Sequence, residues 1–592
     1  MAKTKTPTDK PDKLQAMRHS LAHVLAMAVL DMFPEAKLGV GPAIEDGFYY
    51  DFELPRTLIP EDLEILEEKM RTIVAGDLGF EGEEVKPKEA VDALKQANQP
   101  YKVELAEEFA ADGQPITFYR TGKFVDLCRG GHIGSTKEVG AFKLTRIAGA
   151  YWRGDEKNPQ LQRVYGVAFS TDKELRSHLA KLEEAKKRDH RVLGRELDLF
   201  LISDLVGGGL PLWTPRGTVL RDELNDYVQN LRADRGFQRV AVPHITKKEL
   251  YEKSGHWQKF ADELYRITTR EGHEFAMKPM NCPHHAQIYD SQLRSYRDLP
   301  QRYQETTMVY RDEQSGEVSG LARVRSITQD DAHVFCRQNQ IEAEVLALWE
   351  TVDEFYKTVD FPLEVHLSTH DPERMDAYSG TEQQWKQAES QLRKVVEGKA
   401  DKKYVDEPGE AAFYGPKVDF IGRDAIGREH QVATIQLDFN QPEGFDLTCV
   451  NEKGDEERIV MIHCAVMGSI ERFLSVLIEH FAGAFPLWLA PEQVRVLPIA
   501  DRHGKAAAKI QDELREAGLR AETDDRDESV GKKIREAEMQ KIPYMLVIGD
   551  KEAKSDAVAV RSRAAGDRGT KKLSAVLKLL TKEVSGKALP GS

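Results

Sequence analysis

Cysteine is scarce in this 592-residue chain: Cys128, Cys282, Cys336, Cys449 and Cys464 are odd in number and scattered. That usage excludes a disulfide framework and fits a reducing cytoplasm, where a cysteine serves as a metal ligand or as core. Long apolar runs are also missing. None reaches the roughly 18 residues of a membrane helix, so no membrane partner is expected. An excess of positive charge is absent too, the net charge being −15. This argues against DNA and indiscriminate nucleic-acid binding, though local basic clefts can still meet phosphates. No G-x-x-x-x-G-K-[ST] or G-x-G-x-x-G follows a strand pattern, which leaves P-loop and Rossmann nucleotide sites unsupported. The polar start, MAKTKTPTDKPDK, has no apolar core behind it and reads as a tail rather than a signal peptide.

What is present is a 40% hydrophobic composition, enough for about three or four domains of ordinary size. Leu14, Met17, Leu21, Val24, Ala28 and Met32 recur at helical steps, predicting an amphipathic helix with Asp12 at its N-cap. His19 and His23 project from one face of it. Alone, HxxxH is compatible with buried or solvated histidines. Glu45–Phe52 reads as a turn into an aromatic strand, Pro60–Ala75 and Lys88–Ala97 as helices, and Ile116–Val125 as a strand pair. In FVDLCRGGHIGST, Cys128 and His132 repeat the four-residue spacing, and the two glycines between them predict a loop. HxxxH and CxxxH together in one module point to metal binding or catalysis. Lys173–Leu193 is charged almost all round and predicts one solvated connecting helix.

Beyond Leu197, apolar strands are separated by turns or helices rather than by regular crossovers, predicting a mostly antiparallel α+β domain. Pro243 in RVAVPHI places that segment at a sheet edge or interface. The stretch Ala276–Cys336 concentrates a cysteine among histidines (MNCPHH), several arginines (among them Arg311 in TTMVYRDE and the pair in LARVRS) and an acidic pair beside a histidine (QDDAH). Packing alone rarely asks for that mixture. The last hundred residues alternate strand and helix, predicting a small, partly parallel α/β domain.

In order along the chain, Pro243 in RVAVPHI, Arg311 in TMVYRDE and Arg472 in GSIERF resemble the three motifs of class II aminoacyl-tRNA synthetases. With MNCPHH, QDDAH and VMIHCA in order between them, the chain is similar to bacterial-type threonyl-tRNA synthetases over nearly its whole length. The resemblance implies a multidomain α+β protein: a disordered tail (1–12), an editing domain (13–172), a linker helix (173–194), a class II antiparallel-sheet catalytic domain (195–490) and an α/β anticodon-binding domain (491–592). It implies one zinc ion per chain on Cys282, His333 and His463, with His284 and His285 beside it. Asp331, Tyr414 and Gln436 would contact threonine. Arg311, Glu313, Arg323, Gln329, Gln431 and Arg472 would hold ATP with its magnesium, and Lys417 joins Arg311, Gln329 and Arg472 among the catalytic positions.

The implied reaction is activation of L-threonine by ATP and transfer to the 3′ end of tRNA(Thr), in a cytoplasmic homodimer that meets its partner through the motif 1 strand. Serine keeps the hydroxyl that zinc would recognise, and one methyl is worth only about 1–3 kcal/mol. A second pocket that hydrolyses seryl-tRNA is therefore needed. His19, His23, Cys128 and His132, with Lys102, Asp126, Tyr50 and Tyr119, match the family's editing site, where metal binding by the quartet is disfavoured. Glu552 and Arg561 match positions that read the anticodon. The chain departs from the family in three places. The usual leading ubiquitin-like domain is not expected ahead of His19, Cys464 replaces the usual arginine after His463, and Asp527 stands where asparagine is usual.

Overall fold

The computed structural model describes residues 12–589 apart from 156, 315, 401 and 402. The chain divides into two compact units, Met1–Glu183 and Glu184–Ser592. The expected tail, 1–12, lies outside the described residues but for Asp12.

The first unit is organised around the helix Lys13–Met32. The sequence predicts an amphipathic helix, but Met17, Leu21, Ala22, Val24, Leu25, Ala26 and Val29 are all buried, together with Arg18, Ser20 and His23. A helix covered on most sides needs no polar face. Helix Pro60–Ala75 packs against it, as do strands Gly47–Glu53 and Gln160–Phe169. Asp12 makes no side-chain cap. The sheet is five-stranded and antiparallel, with Gly47–Glu53 and Ala141–Tyr151 flanking Gln160–Phe169. Alternate residues Phe48, Tyr50 and Phe52 enter the core it shares with the long helix. A smaller sheet, Glu81–Glu84, Thr117–Thr121 and Phe124–Leu127, accompanies the helices Pro87–Gln96 and Pro100–Ala111.

The expected single connecting helix breaks. Asp172–Arg188 ends, and His190–Glu196 begins with Asp189 as N-cap, its carboxylate accepting from the Arg191 amide at 2.8 Å. An aspartate that bonds the backbone ahead of it competes with helix continuation.

The second unit contains an eight-stranded sheet in the order Gln238–Arg239, Gln301–Tyr310, Ser326–Cys336, Val460–Ala465, Glu429–Asp438, Lys417–Arg423, Leu363–Thr369, Val405–Pro408. The six inner strands are antiparallel and each outer one pairs parallel. The strand expected over Arg239–Ile245 is only two residues long at the sheet edge. Past it, ladder pairing gives way to single bonds, Val240 to the Gln304 carbonyl at 3.1 Å and Val242 to Glu305 Oε1 at 3.0 Å. Pro243, without an N–H, cannot extend the ladder. One sheet face carries Ala332, Val334, Ile435, Ile462 and Cys464 into the main core under helices Ile341–Lys357 and Ile470–Phe481. The other face carries a smaller apolar cluster, including Tyr303, Phe335 and Met461, beside a set of polar residues.

The chain ends in a five-stranded sheet in the order Ala521–Thr523, Val494–Pro498, Tyr544–Ile548, Ala557–Ser562, Gly566–Lys572. Its first three strands are parallel and the rest antiparallel. Gly566–Lys572 has no apolar residue to announce it; it is an exposed edge strand held by its hairpin partner. Among the described residues no helix is long and apolar enough to cross a membrane.

Candidate functional site

The polar face of the large sheet assembles a row of side chains across four strands. His333 and His463 are direct cross-strand partners, His463 in turn opposes Gln436, and Gln436 opposes Lys417. Asp331 shares the face of His333 because side chains alternate with a period of two. Cys282 reaches the same place from the start of helix Cys282–Asp290. Cys282, His333 and His463 offer ligand atoms all within 4.8 Å of one another.

The outer nitrogens of both imidazoles are engaged. His463 Nε2 lies 2.8 Å from Asp438 Oδ2, and His333 Nδ1 lies 2.7 Å from His285 Nδ1. Their remaining nitrogens, His333 Nε2 and His463 Nδ1, face each other at 3.0 Å. Asp438 is itself fixed by the amides of Asn440 and Gln441 at 2.8 and 2.9 Å. Burial, then the Asp331 charge, pushes the Cys282 thiol well above its ordinary range. Burial, then the neighbouring His463 and His285 rings, pushes His333 well below its own. A divalent cation among these donors would reverse the Cys282 shift and press His333 further in the same direction, both toward the deprotonated forms that ligate a metal. One thiolate and two oriented imidazoles suit zinc, with a fourth position left open.

Around that position, Asp331 Oδ2 accepts from Asn281 Nδ2 at 3.1 Å, and burial raises the Asp331 carboxyl. Tyr414 donates its hydroxyl to Gln436 Oε1, and its ring lies 5.2 Å from that of His463. Lys417 pairs with Asp419, whose other oxygen accepts from Gln431 Nε2 at 2.7 Å.

A cleft of about 860 Å³ on the same sheet is lined by Arg311, Glu313, Arg323, Gln329, Gln431 and Arg472, all six residues expected at an ATP site. Arg311 Nε and Gln329 Oε1 are buried without a hydrogen-bond partner, an arrangement that a polar ligand would complete. Glu313 and Arg323 pair at 2.6 Å. Arg472 lies in the first turn of Ile470–Phe481, and its amide donates to the Ser469 hydroxyl at 3.2 Å. Cys464 points into the apolar core on the opposite face, where burial lifts its thiol to about 12. It is packing, not a ligand.

In the first unit, His19 Nε2 lies 3.0 Å from Cys128 Sγ, and Cys128 Sγ lies 3.3 Å from His132 Nε2. With His23 these four offer ligand atoms within 4.8 Å of one another. His132 is stacked on Phe80 at 4.9 Å and on His19 at 4.5 Å, touches Tyr119 at 4.6 Å, and its Nδ1 lies 3.1 Å from Ser20 Oγ. Lys102 Nζ meets Asp126 Oδ1 at 2.7 Å, and Tyr50 donates to Asp126 Oδ2 at 2.5 Å. The expected glycine loop is present. Gly130 has φ +90°, and a Cβ there would stand 2.4 Å from the Tyr119 hydroxyl. Burial, then the neighbouring imidazoles, lowers His132 to about 2, and burial raises Cys128 to about 11. The cluster at neutral pH is therefore three uncharged rings and a thiol beside one buried ion pair.

In the last sheet, Glu552 Oε2 accepts from the Gly549 amide at 3.1 Å, and Arg561 projects from Ala557–Ser562 with its Nε unpartnered. Sequence reasoning missed Asp438, Asn281, Asp419 and Ser20. Asp438 carried a signal, since it follows Gln436 by two positions and so shares its face.

Three family descriptions match the chain: "tRNA synthetase class II core domain (G, H, P, S and T)" over 265–481, "Anticodon binding domain" over 493–583, and "Threonyl and Alanyl tRNA synthetase second additional domain" over 116–165. The threonine–tRNA ligase of Gloeobacter violaceus is 50% identical, with 95% of this chain and 91% of that protein covered. That of Clostridium tetani is 47% identical, with 99% and 90% covered. Among solved structures, the RNA binding domain of threonyl-tRNA synthetase from Cryptosporidium parvum is 36% identical with a TM-score of 0.64, covering 68% of this chain and 99% of that one.

Proposed function

Because the chain belongs to the threonine–tRNA ligase family of class II aminoacyl-tRNA synthetases, we propose that it activates L-threonine with ATP, transfers it to the 3′ end of tRNA(Thr), and hydrolyses seryl-tRNA(Thr) in its first unit. The observation that carries this reading is the convergence of Cys282, His333 and His463 beside Asp331 and Gln436, on the sheet face that also holds the arginine-lined cleft.

Zinc held by Cys282, His333 and His463 would supply a Lewis acid with an open position suited to a hydroxyl and an amine together. Asp331 accepts from the threonine ammonium or hydroxyl, and Tyr414 and Gln436 close the pocket around the amino acid. Valine, isosteric but without a hydroxyl, leaves these polar groups unpaired and is rejected. Adenylation needs alignment and charge neutralisation more than covalent help. Arg311 grips the α-phosphate and Arg472 the γ-phosphate through planar forks that match phosphate oxygens. Glu313 and Arg323 order the nucleotide, Gln329 and Gln431 face it, and Lys417 neutralises charge near the reacting carboxylate. Magnesium accompanies the ATP.

For the mischarged product, the His19, His23, Cys128 and His132 cluster holds the tRNA 3′ end and orients a water. The Lys102–Asp126 pair and the Tyr50 and Tyr119 hydroxyls shape that pocket. Glu552 and Arg561 meet the anticodon, glutamate accepting from a base amino group and arginine donating to base acceptors. The protein acts as a homodimer, which the mass in solution tests; a monomer at micromolar concentration contradicts it. Threonine-dependent ATP–pyrophosphate exchange with zinc and magnesium present tests the ligase reading, and no exchange overturns it.

A further inference from the structure

His190 opens the short helix His190–Glu196 and is 6% exposed. Both its ring nitrogens are engaged. Nδ1 lies 2.7 Å from Glu479 Oε1, which also accepts the His190 backbone N–H at 3.1 Å. Nε2 lies 3.1 Å from the backbone nitrogen of Leu321. A backbone amide only donates, so Nε2 is the bare accepting nitrogen, and Nδ1 carries the proton given to Glu479.

These two partners sit on the two elements that bring arginines to the ATP cleft. Leu321, fully buried, lies in the return of the Arg311–Arg325 loop just before Arg323. Glu479 lies on Ile470–Phe481, the helix that begins with Arg472 in its first turn. His190 and Glu479 line the same cleft as Arg311, Arg323, Gln329 and Arg472. The loop comes so close that a Cβ on Gly320, which has φ +51°, would stand 2.3 Å from His190 Nε2. Glu479 is held from its other side by Arg428 at 2.5 Å, and Arg188 Nη1 donates to the His480 carbonyl at 2.9 Å at the end of the same helix. A histidine serving only to start its own helix would need neither Leu321 nor Glu479, since Asp189 already caps that turn.

We propose that His190 is a positioning residue for adenylation: it ties the Arg311–Arg325 loop to the Ile470–Phe481 helix and so sets the spacing of Arg323 and Arg472 about the ATP phosphates. This rests on the ATP-dependent reading given above. Its role is to hold the two elements in place, so its effect is on ATP and not on threonine.

The test is threonine-dependent pyrophosphate exchange by the zinc- and magnesium-loaded full chain, with ATP and threonine varied in turn, for wild type, H190A, H190Q, H190N and G320A. Glutamine can place its amide oxygen near the Nε2 position and keep Leu321 satisfied. Asparagine reaches only the level of Nδ1 and serves Glu479 alone. H190A is expected to raise the ATP KM about tenfold, the worth of the lost hydrogen bond to the Leu321 amide that holds the loop, with threonine KM unchanged. H190Q should return to within about threefold of wild type, H190N should stay with H190A, and G320A should raise the ATP KM from the loop side by about as much. An unchanged ATP KM in H190A, a parallel rise in both KM values, or rescue by asparagine equal to that by glutamine would overturn the inference. Where H190A melts too early to assay, the glutamine–asparagine comparison decides on the same terms. A wild-type chain without exchange overturns the ligase reading as well, whereas exchange with a flat ATP KM across the variants overturns this inference alone.

Discussion

At the scale of single residues, the candidate zinc donors depend on groups that are not donors themselves. Asp438 orients His463 through a 2.8 Å contact and is completely buried. Asp438→Asn should weaken zinc binding by about 10–100-fold, as loss of a ligand-orienting carboxylate does elsewhere, measured by competition with a chelator; unchanged affinity would show that His463 needs no such support. The histidines of the first unit give a pH dependence. His132 is held neutral down to about 2 by burial first and then by its neighbouring rings, while the unfolded chain takes that proton near pH 6.5. Between those values the unfolded state binds more protons. Stability is thus full above about pH 6.5 and falls as pH drops below it, by at most about 1.4 kcal/mol per unit for each such histidine. His19 and His23 are lowered too and act in the same direction. Urea melts of the first unit's transition at pH 7.5 and 5.5 should show a larger loss for wild type than for His132→Gln; equal losses contradict the account. Cys282, His333 and His463 were legible in the sequence because each sits in a distinctive short motif. Ser20 was not, because a serine between two histidines on a helix carries no mark of the bond it makes with His132.

At the scale of elements, strand register does most of the positioning. Pairing His333 with His463, and His463 with Gln436, turns residues 130 apart in sequence into neighbours. Helix Ile470–Phe481 is latched to the next strand by Glu471, which accepts from the Thr328 amide at 2.7 Å and its hydroxyl at 2.6 Å. Glu471→Ala leaves those buried donors unpaired and should cost about 1–3 kcal/mol in a urea melt, with a raised ATP KM because Arg472 shares that turn. An ATP KM that stays put would separate the latch from the site. The inner strands of the large sheet were readable from apolar runs bounded by turns. Three elements departed from their reading or escaped it, for distinct reasons. Lys13–Met32 is covered on most sides, so its apolar stripe understated its burial. Arg239–Ile245 has strand-like residues, but its ladder ends at Arg239 and Pro243 cannot resume it. Gly566–Lys572 is strand by pairing alone.

At the scale of the whole molecule, two pockets divide one discrimination. On the proposed reading the pocket by Cys282 would answer for valine and the His19, His23, Cys128 and His132 cluster for serine, with each set of residues lying in its own compact unit. Changing His19 and His23 together to alanine should leave threonine-dependent exchange within about twofold, while seryl-tRNA hydrolysis falls by about a hundredfold or more, a loss of acid–base and positioning groups. Both are read by exchange and by deacylation of seryl-tRNA. The central claim, that hydroxyl recognition at Cys282, His333, His463 and Asp331 selects the substrate, is tested most directly by ATP–pyrophosphate exchange with threonine, serine and valine in parallel on the zinc-loaded chain. The account predicts exchange with threonine, weaker exchange with serine, and valine lower than threonine by about 10⁴-fold or more. Valine exchanged as readily as serine would contradict it.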